Sequence, residues 1–122
     1  MALYTVKMIK KQIKRFVFSF EGIFYALKHD LAFQSEIIGS VIFFPIYIYL
    51  FAPFTQTEIL FLALSFSLVI ITELQNTAFE YALDKVHPEQ HESIKRSKDM
   101  AAGGVLIAGF FALFVAIIVA LF

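Results

Sequence analysis

The 122-residue chain has no cysteine and no tryptophan, only three prolines and five glycines, and few charged residues, 16% of the total. Without cysteine there is neither a disulfide framework nor a thiolate site for zinc or an iron–sulfur cluster. The glycines, at positions 22, 39, 103, 104 and 109, form neither G-x-x-x-x-G-K-[ST] nor G-x-G-x-x-G. A phosphate-cradling loop of either kind is therefore excluded. Low charge also excludes an ordinary soluble domain: 60% of the residues are hydrophobic, with sixteen phenylalanines and a mean hydropathy of +0.79. A chain this short cannot bury that much apolar surface inside itself.

What is present is a set of long apolar runs. Ile37 to Phe54 carries no charge and ends at Thr55-Gln56-Thr57-Glu58; Ile59 to Thr72 continues past Glu73 as a helical pattern to about Leu83; Ala101 to Phe122 is again free of charge. A bilayer core takes about 20 apolar residues per helix. The runs predict an all-α integral membrane protein with spans over 31–54, 58–85 and 99–122 and a connecting loop over 86–98, in which His87-Pro88-Glu89 reads as a turn and Ser93 to Met100 as beginning or joining the third helix. Pro45 is expected to bend the first span, freeing a carbonyl that neighbouring helices can satisfy.

The zero net charge conceals segregation. Lys7, Lys10, Lys11, Lys14 and Arg15 all precede the first acid, Glu21, and Lys85, Lys95, Arg96 and Lys98 cluster in the second connection, whereas Ala52 to Glu58 has no basic residue. Basic residues near span ends stay on the cytoplasmic side. The expected topology has the N-terminus inside and the C-terminus outside. No long apolar core or small-residue cleavage site follows the basic start, which is not read as a cleavable leader. Residues 1–29 read instead as an amphipathic surface helix, with Val6, Ile9, Ile13, Phe16, Phe20 and Ile23 at three- and four-residue steps.

Four polar residues stand where a spanning helix should have none. Glu73, Asn76, Glu80 and Asp84 fall within about one quarter of a helix circumference at 3.6 residues per turn. Charges beside a span usually face protein or a watery cavity, so this stripe needs cations or a metal. Asp84 also reads as a juxtamembrane acid paired with a nearby lysine. Glu73 lies about 10 Å deeper than Glu80 along the axis, which favours a functional acid able to act as a general base. Asp30 and Glu36 stand at the inner end of the first span, level with Glu80. Asp30 and Glu80 are candidate oxygen ligands for Mg²⁺, which commonly binds through one or two carboxylates plus substrate phosphates, although two carboxylates alone do not define a metal site. His87, Glu89, His91 and Glu92 match no strong zinc spacing. Ala101, Ala102, Gly103, Gly104 and Ala108 are small residues suited to close helix packing.

These residues carry a resemblance. Glu73-Leu74-Gln75-Asn76-Thr77-Ala78-Phe79-Glu80, Asp84, and Lys95-Arg96-Ser97-Lys98-Asp99-Met100-Ala101-Ala102, with Ser19-Phe20-Glu21-Gly22 and Asp30-Leu31-Ala32-Phe33 upstream, resemble the signature of the prokaryotic diacylglycerol kinase family of small membrane lipid kinases. The resemblance implies a homotrimeric helical bundle in the bacterial inner membrane that transfers the γ-phosphate of MgATP to the hydroxyl of diacylglycerol, with sites shared between subunits. It implies Glu73 as the catalytic base, supported by Asn76, and Asp30 and Glu80 as the metal ligands. Around ATP it places Lys11, Phe18, Asp30, Glu80, Glu89, Gln90, His91, Lys98 and Asp99. Around the lipid it places Lys14, Ser19, Phe20, Phe33, Glu36 and Glu73. The implied partners are the lipid, ATP and further copies of the chain, with no nucleic acid. Departures from the family pattern fall at Asp30, where glutamate is usual, at Lys11 for arginine, at Gln75 for an apolar residue, at Gln90 for an aromatic and at Gln34-Ser35.

Within that family undecaprenol is the alternative acceptor. The Lys98-Asp99-Met100 run favours diacylglycerol, and Ala101-Ala102-Gly103 leans the other way. Outside it, a small oligomeric transporter relaying protons through Glu73 accounts for that acid but not for the Lys98-Asp99 and Asp30 groupings.

Overall fold

The computed structural model describes residues 1–89 and 91–122 and is entirely helical among them: α1 (Ala2–His29), α2 (Leu31–Phe51), α3 (Gln56–Val86) and α4 (Glu92–Leu121). Gln90 lies outside the described residues. The last three helices are each long and apolar enough to cross a membrane, and the chain is an integral membrane protein.

Local chemistry sets the joints between helices. Asp30 alone separates α1 from α2; its backbone is extended, and its Oδ1 accepts the N–H of Phe33 at 2.6 Å. A short carboxylate at an N-cap satisfies one of the donors that the first helical turn leaves open. α2 runs through Pro45 and stops at Phe51, three residues short of the apolar run's end at Phe54. Pro53 accounts for the early stop, because the residue before a proline is pushed out of helical backbone. α3 opens with a capping box: the Thr55 N–H donates to Glu58 at 2.6 Å, and the Glu58 N–H donates to Thr55 Oγ1 at 3.3 Å.

α4 starts at Glu92, inside the segment expected to be loop. His91 Nδ1 accepts the Ser93 N–H at 3.1 Å, and two pairs one turn apart, Glu92–Arg96 at 2.6 Å and Lys95–Asp99 at 2.7 Å, support the polar turns that follow. Periodicity in apolar residues could not reveal these turns, because they hold almost none.

The 31 residues of α3 extend about 46 Å, against a hydrocarbon core of about 30 Å. The helix is thus about 16 Å longer than such a core needs, and its acidic residues past Glu58 gather toward the Glu80 end. The polar first turns of α4 run alongside it, joined by an ion pair between Asp84 and Lys98. α3 and α4 pack most extensively, around Val69, Ala108 and Val115. α2 closes the bundle through Phe44 against Phe66, ring centroids 4.8 Å apart, and through the Tyr47 hydroxyl, which donates to the Ala116 carbonyl at 2.6 Å. Phe33 is the largest fully buried side chain, 1% exposed. Elsewhere large apolar side chains face outward on all four helices, as surfaces that meet lipid or another protein copy do.

Candidate active site

The acidic residues converge where α1, α2 and α3 meet. A cavity of about 760 Å³ lies between α1 and the Leu74–Asp84 stretch of α3, and Phe18, Ser19, Asp30 and Glu80 all line it. They reach it from three places: the last half of α1, the α1–α2 joint and the end of α3. Asp30 Oδ1 is occupied by its cap bond, which leaves Oδ2 for other partners. Glu80 is half-buried, and its carboxylate has neither an ion pair nor a hydrogen bond among the described residues. Asp84 lines the same cavity and is taken by Lys98.

Glu73 lies deeper and is 7% exposed, the only buried charged residue among those described. Asp30, Glu36 and Glu80 stand close enough to act on it as like charges. The polar stripe of α3 thus points into the groove between its neighbours, Glu80 and Asp84 toward α1 and Asn76 toward α4. Asn76 borders a second space with Ser97, Met100, Ala101 and Gly104, and its buried Oδ1 has no hydrogen-bond partner. No hydrogen bond joins it to Glu73.

Other expected site residues stand apart from this cavity. Lys11 and Lys14 lie on the exposed N-terminal half of α1, and Phe20 is exposed outside the lining. Phe33 is packed away beneath Asp30. Glu36 borders a cavity of about 360 Å³ that runs between α2, α3 and α4. Glu89 pairs with His87 at 3.6 Å, and His91 is engaged in capping α4. Asp99 turns to Lys95. Among the described residues no group of three or more histidine or acidic side chains is arranged to hold a metal ion.

Two tyrosines that sequence reasoning passed over also line the large cavity. The hydroxyls of Tyr25 and Tyr81 are 2.9 Å apart, although 56 residues separate them along the chain. Their only signal in the sequence is that each is a polar-tipped aromatic close to a candidate ligand, Tyr81 directly after Glu80 and Tyr25 five residues before Asp30.

Donor chemistry decides what this cavity suits. Carboxylate oxygens are hard ligands, and a site with two carboxylates outside any ion pair, Asp30 and Glu80, fits a small divalent cation whose remaining positions go to water and phosphate. Fold and site together define a multi-span membrane protein with a carboxylate-lined cavity at one end of its helical bundle. The family model for prokaryotic diacylglycerol kinase matches residues 17–120, and the chain belongs to that family. The diacylglycerol kinase of Haemophilus influenzae is 31% identical over 106 residues, covering 87% of this chain and 88% of that protein. Those of Escherichia coli K12 (32% over 96 residues; 79% and 77%) and Helicobacter pylori J99 (31% over 109 residues; 89% and 84%) are similarly related. The protein is a lipid kinase, and a kinase takes its phosphoryl group from a nucleotide.

Proposed function

We propose that the chain transfers the γ-phosphoryl group of MgATP to the free hydroxyl of diacylglycerol in the membrane, giving phosphatidic acid and ADP. The observation that carries this reading is the meeting of Asp30 and Glu80 in one large cavity, with Glu73 buried beside them. Glu73 takes the proton of the lipid hydroxyl while its oxygen forms the new bond to phosphorus; the bond from the γ-phosphorus to the β,γ-bridging oxygen breaks, and ADP departs. Asp30 and Glu80 would hold Mg²⁺, which would supply neutralisation of phosphate charge. Phosphoryl transfer asks mainly for positioning and charge neutralisation, which two fixed carboxylates and a deeper base provide.

Lys98 exchanges its partner Asp84 for phosphate as the nucleotide enters, and Asp99, Glu89 and His91 line the nucleotide's approach. Lys11 and Phe18 close over the nucleotide. Lys14, Ser19, Phe20 and Glu36 shape the lipid side. α1 lies on the inner membrane face, with its basic side chains near anionic headgroups and its exposed phenylalanines toward the acyl chains. The N-terminus is cytoplasmic, and the C-terminus faces outward. A homotrimer covers the exposed apolar faces and brings elements of neighbouring copies to each site.

The test is an assay of purified protein with radiolabelled ATP and each lipid in turn. Labelled phosphatidic acid is the expected product. Polyprenyl phosphate formed in its place overturns the acceptor, and no lipid product with either overturns the whole reading.

A further inference from the structure

The two candidate metal ligands sit on different structural elements, and little fixes one relative to the other. Asp30 cannot adjust by itself. It has one methylene between backbone and carboxyl, and its Oδ1 is committed to the Phe33 N–H at 2.6 Å, above a phenylalanine 1% exposed. The separation of Asp30 from Glu80 is therefore set by how the α1–α2 joint lies against α3, held on one side by the packing of α2 and on the other by the end of α1. Among the described residues one side-chain hydrogen bond ties α1 to α3, the Tyr25–Tyr81 hydroxyl contact of 2.9 Å. The two rings meet edge to face with centroids 5.8 Å apart. His29 stacks on Tyr25 at 4.2 Å and places its Nδ1 3.0 Å from the Tyr25 carbonyl oxygen. Tyr25 is thus held from behind, and Tyr81 is bonded directly to Glu80 along the chain.

We propose that Tyr25 and Tyr81 form a positioning pair that holds Asp30 at working distance from Glu80 and so sets the affinity of the site for its divalent cation. This rests on the reading of Asp30 and Glu80 as cation ligands. Neither tyrosine touches the reacting atoms in this role; both act through the carboxylates beside them. The hydroxyls share a single hydrogen bond, so loss of either one breaks the same link.

The test uses the full chain in lipid bicelles with a non-hydrolysable ATP analogue and Mn²⁺ as the probe, free Mn²⁺ being counted by its EPR signal. Tyr25→Phe and Tyr81→Phe should each weaken Mn²⁺ binding about three- to tenfold, the effect of one hydrogen bond. The double variant should be no weaker than the worse single. In the kinase assay the half-saturating Mg²⁺ concentration should rise by the same factor, with kcat at saturating Mg²⁺ within about twofold of the parent. Tyr49→Phe, on the exposed side of α2, serves as the control and should match the parent.

Unchanged Mn²⁺ binding in both single variants overturns the pairing, as does a double variant that loses the sum of the two. Asp30→Asn and Glu80→Gln separate this failure from failure of the underlying reading. If they weaken Mn²⁺ binding and the tyrosine variants do not, the positioning pair alone falls. If they too bind as the parent does, the ligand assignment falls with it.

Discussion

Glu73 is an acid with almost no contact with solvent, no hydrogen bond among the described residues and three other carboxylates acting on it. No basic residue or hydrogen-bond donor among the described residues pairs with its carboxylate, which leaves it free for the proposed role of base. Glu73→Gln keeps the shape and removes the charge. It should lower turnover by at least about a hundredfold, the usual contribution of a general base, while nucleotide binding is retained. A lipid kinase assay beside a nucleotide-binding titration reads both, and a parental rate removes Glu73 from the mechanism. The same substitution removes a charge buried without a partner and should raise the thermal unfolding midpoint, the trade of stability against activity expected at a working site.

Tyr25 offers a second measurement. The hydrogen bond with Tyr81 raises its hydroxyl above the ordinary tyrosine value near 10. A raised value in the folded state means stabilisation that is present below the ordinary value and lost as the hydroxyl ionises above it. The link between α1 and α3 therefore survives throughout the neutral range, and in Tyr81→Phe the Tyr25 hydroxyl should titrate at lower pH, as followed by tyrosinate absorbance. Glu73 was legible in the sequence because a lone charge in an apolar run is conspicuous. The Tyr25–Tyr81 contact was not, since pairing across 56 residues leaves no local period.

At the scale of elements, capping decides where the helices begin. Thr55→Ala removes one half of the α3 capping box and should cost about 1 kcal/mol, seen as a lower unfolding midpoint with activity at permissive temperature unchanged. Asp30→Ala removes a cap as well as a candidate ligand. Its loss of stability should be rescued by Asp30→Asn, which still accepts the Phe33 N–H, whereas its loss of metal affinity should not. The three spans were readable from hydropathy because each is mostly uninterrupted. The polar beginning of α4 was legible as the Ser93 to Met100 stretch that joins the third span, but its cap was not, because a histidine at that position and charged pairs one turn apart leave no apolar pattern to follow. The same blindness covered the end of α2, where the apolar run outlasts the helix by three residues.

For the whole molecule, the absence of cysteine is an experimental convenience. With single cysteines introduced in place of Ala2 or Phe122, an impermeant maleimide added to intact cells should label only the second; labelling of the first alone reverses the proposed orientation. Sequence alone conveyed the all-helical class and singled out the acids of α3, since both depend on residue type and spacing along one helix. It could not convey which acids share a cavity, because that depends on how α1 folds back against α3.

The single-residue joint at Asp30 makes α1 a lever. Treated as a rigid rod of 28 residues, it reaches about 42 Å from its pivot, while Tyr25 grips it only about 8 Å out. The mechanical ratio is about five. A cleft that gapes by 1 Å at Tyr25 must sweep the far tip through about 5 Å, and anything that moors the tip restrains the cleft with the same advantage.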